Sequence, residues 1–187
     1  MHKFEPSNAA RLERADRYAL IPPRETLLKL GLGPGMTFVD IGAGTGFFSR
    51  PAAAIVGTTG RVFAADIAPG MLDYMRGQGM PENMTAILSD EYSVPVSDGI
   101  ADMAFMAFVA HETPDLLRFL DEAARITRKG GRIAIVEWKK QQEENGPPEA
   151  ERLAEEDLVA RVAGRYTIVE RGSLNPSQYF IILQPEH

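Results

Sequence analysis

The segment VDIGAGTGFF, Val39 to Phe48, carries glycines at three alternate positions, Gly42, Gly44 and Gly46. Without Cβ atoms, they let a turn of backbone pass close to a ligand. Asp40 stands two residues before the first of them, and a carboxylate there repels a dianionic phosphate while attracting a cation. A second acid, Asp66, closes the run RVFAAD, and its oxygens can accept both hydroxyls of a ribose. Farther on, His111 and Glu112 follow the run ADMAFMAFVA. Histidine titrates near neutral pH, which suits it to take a proton from an acceptor. The alternative role is structural, with the pair holding its loop to Glu137 or to the N-terminal segment. The spacing of His111, Glu112 and Glu137 is not that of a recognised ligand cluster, so no metal is expected.

The glycine spacing narrows the ligand. A dinucleotide fingerprint, Gly-x-Gly-x-x-Gly or Ala, wants a small residue where this chain has Phe47. A P-loop is excluded because no Gly-Lys-Ser/Thr follows. Asp66 alone is compatible with a nicotinamide dinucleotide; Phe47 and Asp40 oppose it.

Apolar, β-branched runs alternate with helical patterns, which predicts a parallel sheet with crossover helices. Strands are expected at 37–41, 61–66, 85–89, 101–109 and 132–138, and helices at 47–56, 69–77 and 114–127. Leu116, Leu117, Leu120, Ala123, Ala124 and Thr127 give the last helix one apolar face. RKGGR, 128–132, is expected to end it with a glycine in the left-handed cap. RYTIVERGS and SQYFIILQ, joined by LNP, are too close for a parallel crossover and predict an antiparallel hairpin. Its 179–183 segment is expected to be the edge strand of a doubly wound, Rossmann-like sheet of seven strands. A helix is expected over 149–163, and mostly helix over the first 30 residues, broken at IPPR. In such a sheet, ligands lie beyond the carboxyl ends of the strands, where the glycine turn, Asp66, His111 and Glu137 all fall.

The glycine turn resembles the first motif of class I methyltransferases that use S-adenosylmethionine, a cofactor with an ammonium, a sulfonium and an adenosine but no phosphate. The likeness runs in order from about Gly35 to Trp138, through RVFAAD, IAPGML, LSDEYSVP, ADMAFMAFVAHE and RITRKGGRIAIVEW. It is similar to the ubiquinone/menaquinone biosynthesis group, and GPP, RLAEEDLVARVAG and YFIIL resemble a small single-domain subgroup of it. The resemblance implies that Gly42, Ala43 and Gly44 pack against the amino-acid end and ribose, and that Asp40 helps hold the ammonium. It implies Asp66 at the ribose, Met71 against the adenine, and Ile67 in the same cofactor site. Asp90 then accepts from the adenine amino group, the Glu91 backbone borders the ring, and Ala107 lines the same site. His111 and Glu112 fall at the methyl-transfer site.

Other chemistry is excluded or left as an alternative. No Asn/Asp-Pro-Pro-aromatic signature follows 101–109, which argues against methylation of amino groups on bases or glutamine. The chain has no cysteine, so arsenic methylation, thiolate zinc sites and thiol nucleophiles are excluded. A net charge of −6 opposes broad attraction to nucleic acid, and the lack of a large insertion that could form a substrate domain makes a small acceptor the expected partner. No run approaches the ~18 apolar residues of a membrane span, and the N-terminus lacks a signal-peptide core, which predicts a cytoplasmic protein. One domain is expected over 1–187: a helical lid at 1–30, a cofactor core at 35–138, and a loop, helix and hairpin at 139–187. An apolar face on the N-terminal helix predicts a homodimer. The alternatives are a nicotinamide-dependent oxidoreductase and a cofactor-binding module without activity.

Overall fold

The computed structural model describes residues 15–186. The lid expectation for 1–14, including Arg11 and Arg14, and the dimer-forming face expected there lie outside the described residues. Among the described residues two short helices come first, α1 (Ala15–Leu20) and α2 (Pro23–Lys29), separated at the IPPR break. The rest alternates as expected: β1 (Thr37–Ile41), α3 (Ser49–Val56), β2 (Arg61–Asp66), α4 (Pro69–Gly77), β3 (Met84–Leu88), β4 (Ala101–Ala107), α5 (Leu116–Ile126) and β5 (Thr127–Trp138). A 3-10 turn (Glu149–Glu151), α6 (Glu155–Val162), β6 (Tyr166–Asn175) and β7 (Gln178–Pro185) complete it.

The seven strands lie in the order β3-β2-β1-β4-β5-β7-β6. The β1–β2, β1–β4, β2–β3 and β4–β5 pairs are parallel, and β7 runs antiparallel to both β5 and β6. The order reverses between β1 and β4, so a crevice is expected at their carboxyl ends. Alternate residues of each strand feed two separate cores. Phe38, Phe105, Val136 and Phe180 face the side covered by α2, α3 and α4. Val39, Met106, Ile135 and Tyr179 face α5 and α6. Burial on both faces is why these strands read as near-continuous apolar runs.

Several boundaries differ from the sequence expectation, each for a physical reason. The 179–183 segment is not the edge: β7 lies inside, paired to β5 from Ile133↔Leu183 to Trp138↔Gln178, and β6 takes the edge. α5 starts at Leu116 because the Asp115 side chain caps it, accepting from the Arg118 N–H at 3.1 Å. Its buried face is Leu116, Phe119, Leu120, Ala123 and Ile126, with Leu117 and Ala124 at the margin. The helix does not end on a left-handed glycine. Thr127 is the extended cap and already pairs with Ala101, while Gly130 (φ 77°) turns within the bulge before Arg132 pairs with Met103. The helix expected over 149–163 is broken, because Arg152 is only 3% exposed and its guanidinium donates to carbonyls of Lys139, Asn145 and Pro147.

Candidate active site

β1 and β2 present the two acids at neighbouring strand ends. Asp40 sits in the middle of the sheet, between Ala64 and Phe105, and is 2% exposed. The turn after Ile41 is tied down by its backbone, with the N–H groups of Gly42 and Ala43 both donating to the Ala65 carbonyl at 2.8 and 3.0 Å. Asp66 then links the turn to α4: Oδ2 accepts the Gly44 N–H at 2.7 Å and Oδ1 the Ala68 N–H at 2.8 Å. Each oxygen keeps lone-pair capacity for a further donor.

Ser49, at the start of α3, donates its hydroxyl to Asp40 Oδ2 at 2.5 Å. Burial pushes the Asp40 carboxyl up to about 7; the Ser49 hydrogen bond opposes this, the charge of Asp66 adds to it, and Arg17 offsets it. Asp66 is also raised by burial, against backbone hydrogen bonds from Ala68, Gly44 and Ile67. Among the described residues neither acid forms a salt bridge.

The buried Asp40 predicts a pH-dependent stability. Its folded-state value lies above the unfolded one, so the neutral acid's contribution is complete below about pH 4 and lost as pH rises through about 7. Asp40→Asn keeps an acceptor for Ser49 and is expected to be more stable than wild type. The margin should widen from about pH 5 to about pH 8, reaching on the order of 4 kcal/mol. Thermal melts of the ligand-free protein check this, and a margin independent of pH removes the assignment.

The remaining expected residues lie along the same edge. Met71, in the first turn of α4, is 3% exposed yet belongs to neither core cluster. Ile67 is 38% exposed beside Asp66. Beyond β3, the Ser89 N–H continues the ladder onto the Asp66 carbonyl at 3.0 Å, and exposed Asp90 bridges to Ser93 ahead of half-buried Glu91. Asp90 and Glu91 therefore stand two strands away from the glycine turn, with β2 between them. β4 ends at Ala107 rather than at 109, because Phe108 takes a left-handed φ of 61°. For a bulky residue that conformation costs about 1–3 kcal/mol. Its N–H still bonds the Val136 carbonyl at 2.9 Å, and its ring packs 5.2 Å from that of Trp138. The reversal delivers Val109 onto Gly42, whose backbone (φ 75°) has no room for a Cβ: one placed there would lie 2.7 Å from Val109 Cγ1.

His111 and Glu112 come next along the chain. His111 donates its backbone N–H to Glu137 Oε1 at 3.1 Å, and its Nδ1 lies 2.9 Å from both Glu137 oxygens. Burial pulls the imidazole down, but the hydrogen bond and charge of Glu137, with the charges of Glu112 and Glu151, carry it above its ordinary value. Glu112 bonds the Val109 carbonyl through its N–H at 3.0 Å. Sequence reasoning missed three contributors. Arg17 of α1 lies 4.1 Å over the Phe47 ring and 5.9 Å from that of Phe108. Ser49 and Val109 complete the set, and the contacts of all three are made only by folding.

The donor set selects a ligand. Two buried acids, neither in a salt bridge among the described residues, and an orphaned buried hydroxyl in the turn itself, Thr45 Oγ1, suit a molecule with a cation and a diol. They do not suit a pyrophosphate.

Residues 39–135 match a family described as a methyltransferase domain. The fold is similar to the structure of a SAM dependent methyltransferase from Aquifex aeolicus, with 30% identity and a TM-score of 0.90 over 98% of this chain and 100% of that one. In sequence, the chain is 31% identical over 121 residues to the ubiquinone/menaquinone biosynthesis C-methyltransferase UbiE of Hahella chejuensis, covering 63% of this chain and 49% of the relative. It is 40% identical over 111 residues to the malonyl-(acyl-carrier protein) O-methyltransferase of Serratia marcescens, covering 58% and 41%. The chain spans about half the length of the curated relatives it matches.

Proposed function

The chain belongs to the methyltransferase domain family, and from that premise we propose that it transfers a methyl group from S-adenosylmethionine to a small-molecule acceptor. The observation that carries the proposal is the pair of buried acids, Asp40 and Asp66, at neighbouring strand ends around a glycine turn. When bound, S-adenosylmethionine supplies an electrophilic methyl carbon on a sulfonium. Asp66 accepts the ribose hydroxyls with the lone pairs that Gly44 and Ala68 leave unused. Asp40 ionises as it meets the ammonium, which supplies a cation in direct contact. Arg17, stacked on Phe47 and near enough to bias Asp40, meets the carboxylate of the same amino-acid end. Ile67 and Met71 offer apolar surface to the adenine, and Asp90 accepts its amino group beside the Glu91 backbone and Ala107. His111 and Glu112 border the reacting centre, where positioning the acceptor behind the methyl does much of the work.

Relatives named for carbon and for oxygen methylation both match this chain, so the acceptor atom is set by the loops beyond β4 and β5 rather than by the cofactor half. We read residues 1–187 as one domain, with 35–138 holding the cofactor. Among the described residues no helix is long and apolar enough to cross a membrane. We read the location as cytoplasmic, and light scattering tests the homodimer.

Calorimetry with S-adenosylhomocysteine and with NAD tests the proposal; binding of the first alone is expected. Asp66→Ala removes a charged acceptor from two hydroxyls and is expected to cost roughly 1.5–3 kcal/mol of affinity. Unchanged affinity in a folded variant would place Asp66 outside the ribose site.

A further inference from the structure

Glu137 is the penultimate residue of β5, and its side chain is fully buried. Its oxygens accept the backbone N–H of His111 at 3.1 Å and that of Trp138 at 3.2 Å, as well as facing His111 Nδ1. Both backbone N–H groups are donors, so the carboxyl oxygens act as acceptors at this site. Nδ1 must then carry the proton of the neutral imidazole, which leaves the lone pair on Nε2. The orienting group itself cannot drift, because Glu137 pairs with Tyr179 in the β5–β7 ladder. His111 also lines an open cavity of about 340 Å³, bordered by the loops after β4 and β5 and by the chain from the 3-10 turn into α6. Its polar wall includes Thr113, Lys140, Glu151, Asp157 and Arg161. Arg152 also reaches this wall, but its guanidinium is engaged by Glu143 and by backbone carbonyls.

We propose that this cavity receives the methyl acceptor, and that Glu137 is the positioning residue that aims Nε2 of His111 at it. The proposal rests on the methyltransferase reading and names the acceptor's class: a small, polar molecule whose nucleophilic oxygen or nitrogen still carries a proton when it binds. The acceptor's lone pair forms the bond to the methyl carbon as the carbon–sulfur bond breaks, and that bond's electron pair stays on sulfur as a neutral thioether. The acceptor's proton passes to Nε2, and the imidazolium so formed faces the Glu137 carboxyl oxygens through Nδ1. The other charged groups around it are Glu112 on its own loop, Glu151 on the 3-10 turn, Lys140 after β5, and Asp157 and Arg161 on α6. Tyr179 stands beside Glu137 on β7.

Nitrogen-15 NMR of the ligand-free protein reads the assignment directly, because the chain has only three histidines. The neutral His111 ring is expected to be protonated at Nδ1, and to titrate above the ordinary value of about 6.5. Glu137→Gln removes the charge, so the midpoint should fall by about one unit, with both tautomers populated. In the same variant, methyl transfer to a panel of phenols, carboxylic acids and amines should lose about 10²-fold in kcat with little change in KM. Its pH profile should move down with the imidazole midpoint. A proton on Nε2 in the wild type overturns the proposal, as does a midpoint that Glu137→Gln leaves in place or turnover confined to acceptors with no proton to lose. Should Glu137→Gln not fold, Glu137→Asp and the wild-type tautomer decide the matter. Absence of S-adenosylhomocysteine binding to wild type would instead sink the methyltransferase reading.

Discussion

Gly42→Val is expected to abolish measurable cofactor binding and to cost the fold roughly 2–6 kcal/mol, the sum of an overpacked contact and a left-handed backbone that a β-branched residue does not tolerate. The contact is specific: a Cβ at this position would lie 2.7, 3.1 and 3.2 Å from the three branch atoms of Val109. Val109 cannot retreat easily, because the reversal at Phe108 that places it is held by the β5 backbone and by Trp138. The strain therefore falls on the turn, whose Gly42 and Ala43 N–H groups share the Ala65 carbonyl and whose Gly44 N–H holds Asp66. Moving that turn misplaces both acids together. Gly42→Ala should be milder in stability yet still lower the affinity. Adding Val109→Ala should recover part of the loss, since only the 3.2 Å contact with the Val109 Cβ remains. Chemical denaturation and calorimetry with S-adenosylhomocysteine measure both quantities. Normal affinity in folded Gly42→Val would show that the turn does not approach the cofactor.

Residues whose meaning is local are legible in the sequence. β2 and α4 begin and end where expected because Asp66 and Pro69 mark their boundaries chemically. The two acids are legible for the same reason: each stands at a fixed offset from an apolar run, and parallel topology brings those ends together. Long-range effects are not legible. Val109 reads as strand, but the carbonyl of Val136 and the ring of Trp138 hold Phe108 in a conformation that ends the strand early. The break near Arg152 is set by carbonyls from the preceding loop, and no periodicity reports those. The strand order of the hairpin is readable, although the expectation of an edge at 179–183 reverses it. YFIIL is apolar on both faces and needs an interior place, whereas β6 exposes Val169, Glu170 and Arg171 and suits an edge. In the site, Glu137 is visible as one partner that could hold the loop of His111. Its buried bond to Nδ1, which fixes the imidazole, needs the structure.

His111→Ala should leave affinity for S-adenosylhomocysteine within about twofold of wild type and depress turnover by about 10²–10⁴-fold, the range for loss of a general base. The separation is expected because the acids proposed to hold the cofactor, Asp40, Asp66 and Asp90, lie on or just after β1, β2 and β3, while His111 is fixed by β5. His111→Gln discriminates between orientation and proton transfer. A glutamine amide can still donate to Glu137, so a residue that merely holds its loop would be rescued. It cannot take up a proton near neutral pH, so a base would not be. The pH profile adds a sign: a base must be deprotonated, and neighbouring acids carry His111 above its ordinary value. Wild-type turnover should thus rise with pH through a midpoint above about 6.5, and the residual rate of His111→Ala should lack that inflection. The deficit should also shrink for acceptors supplied already deprotonated, because the missing step is then no longer required. A Gln variant at wild-type rate, or an Ala variant that keeps the inflection, would assign the proton transfer elsewhere. The cofactor half of the site would stand, because it rests on Asp40, Asp66 and the turn between them.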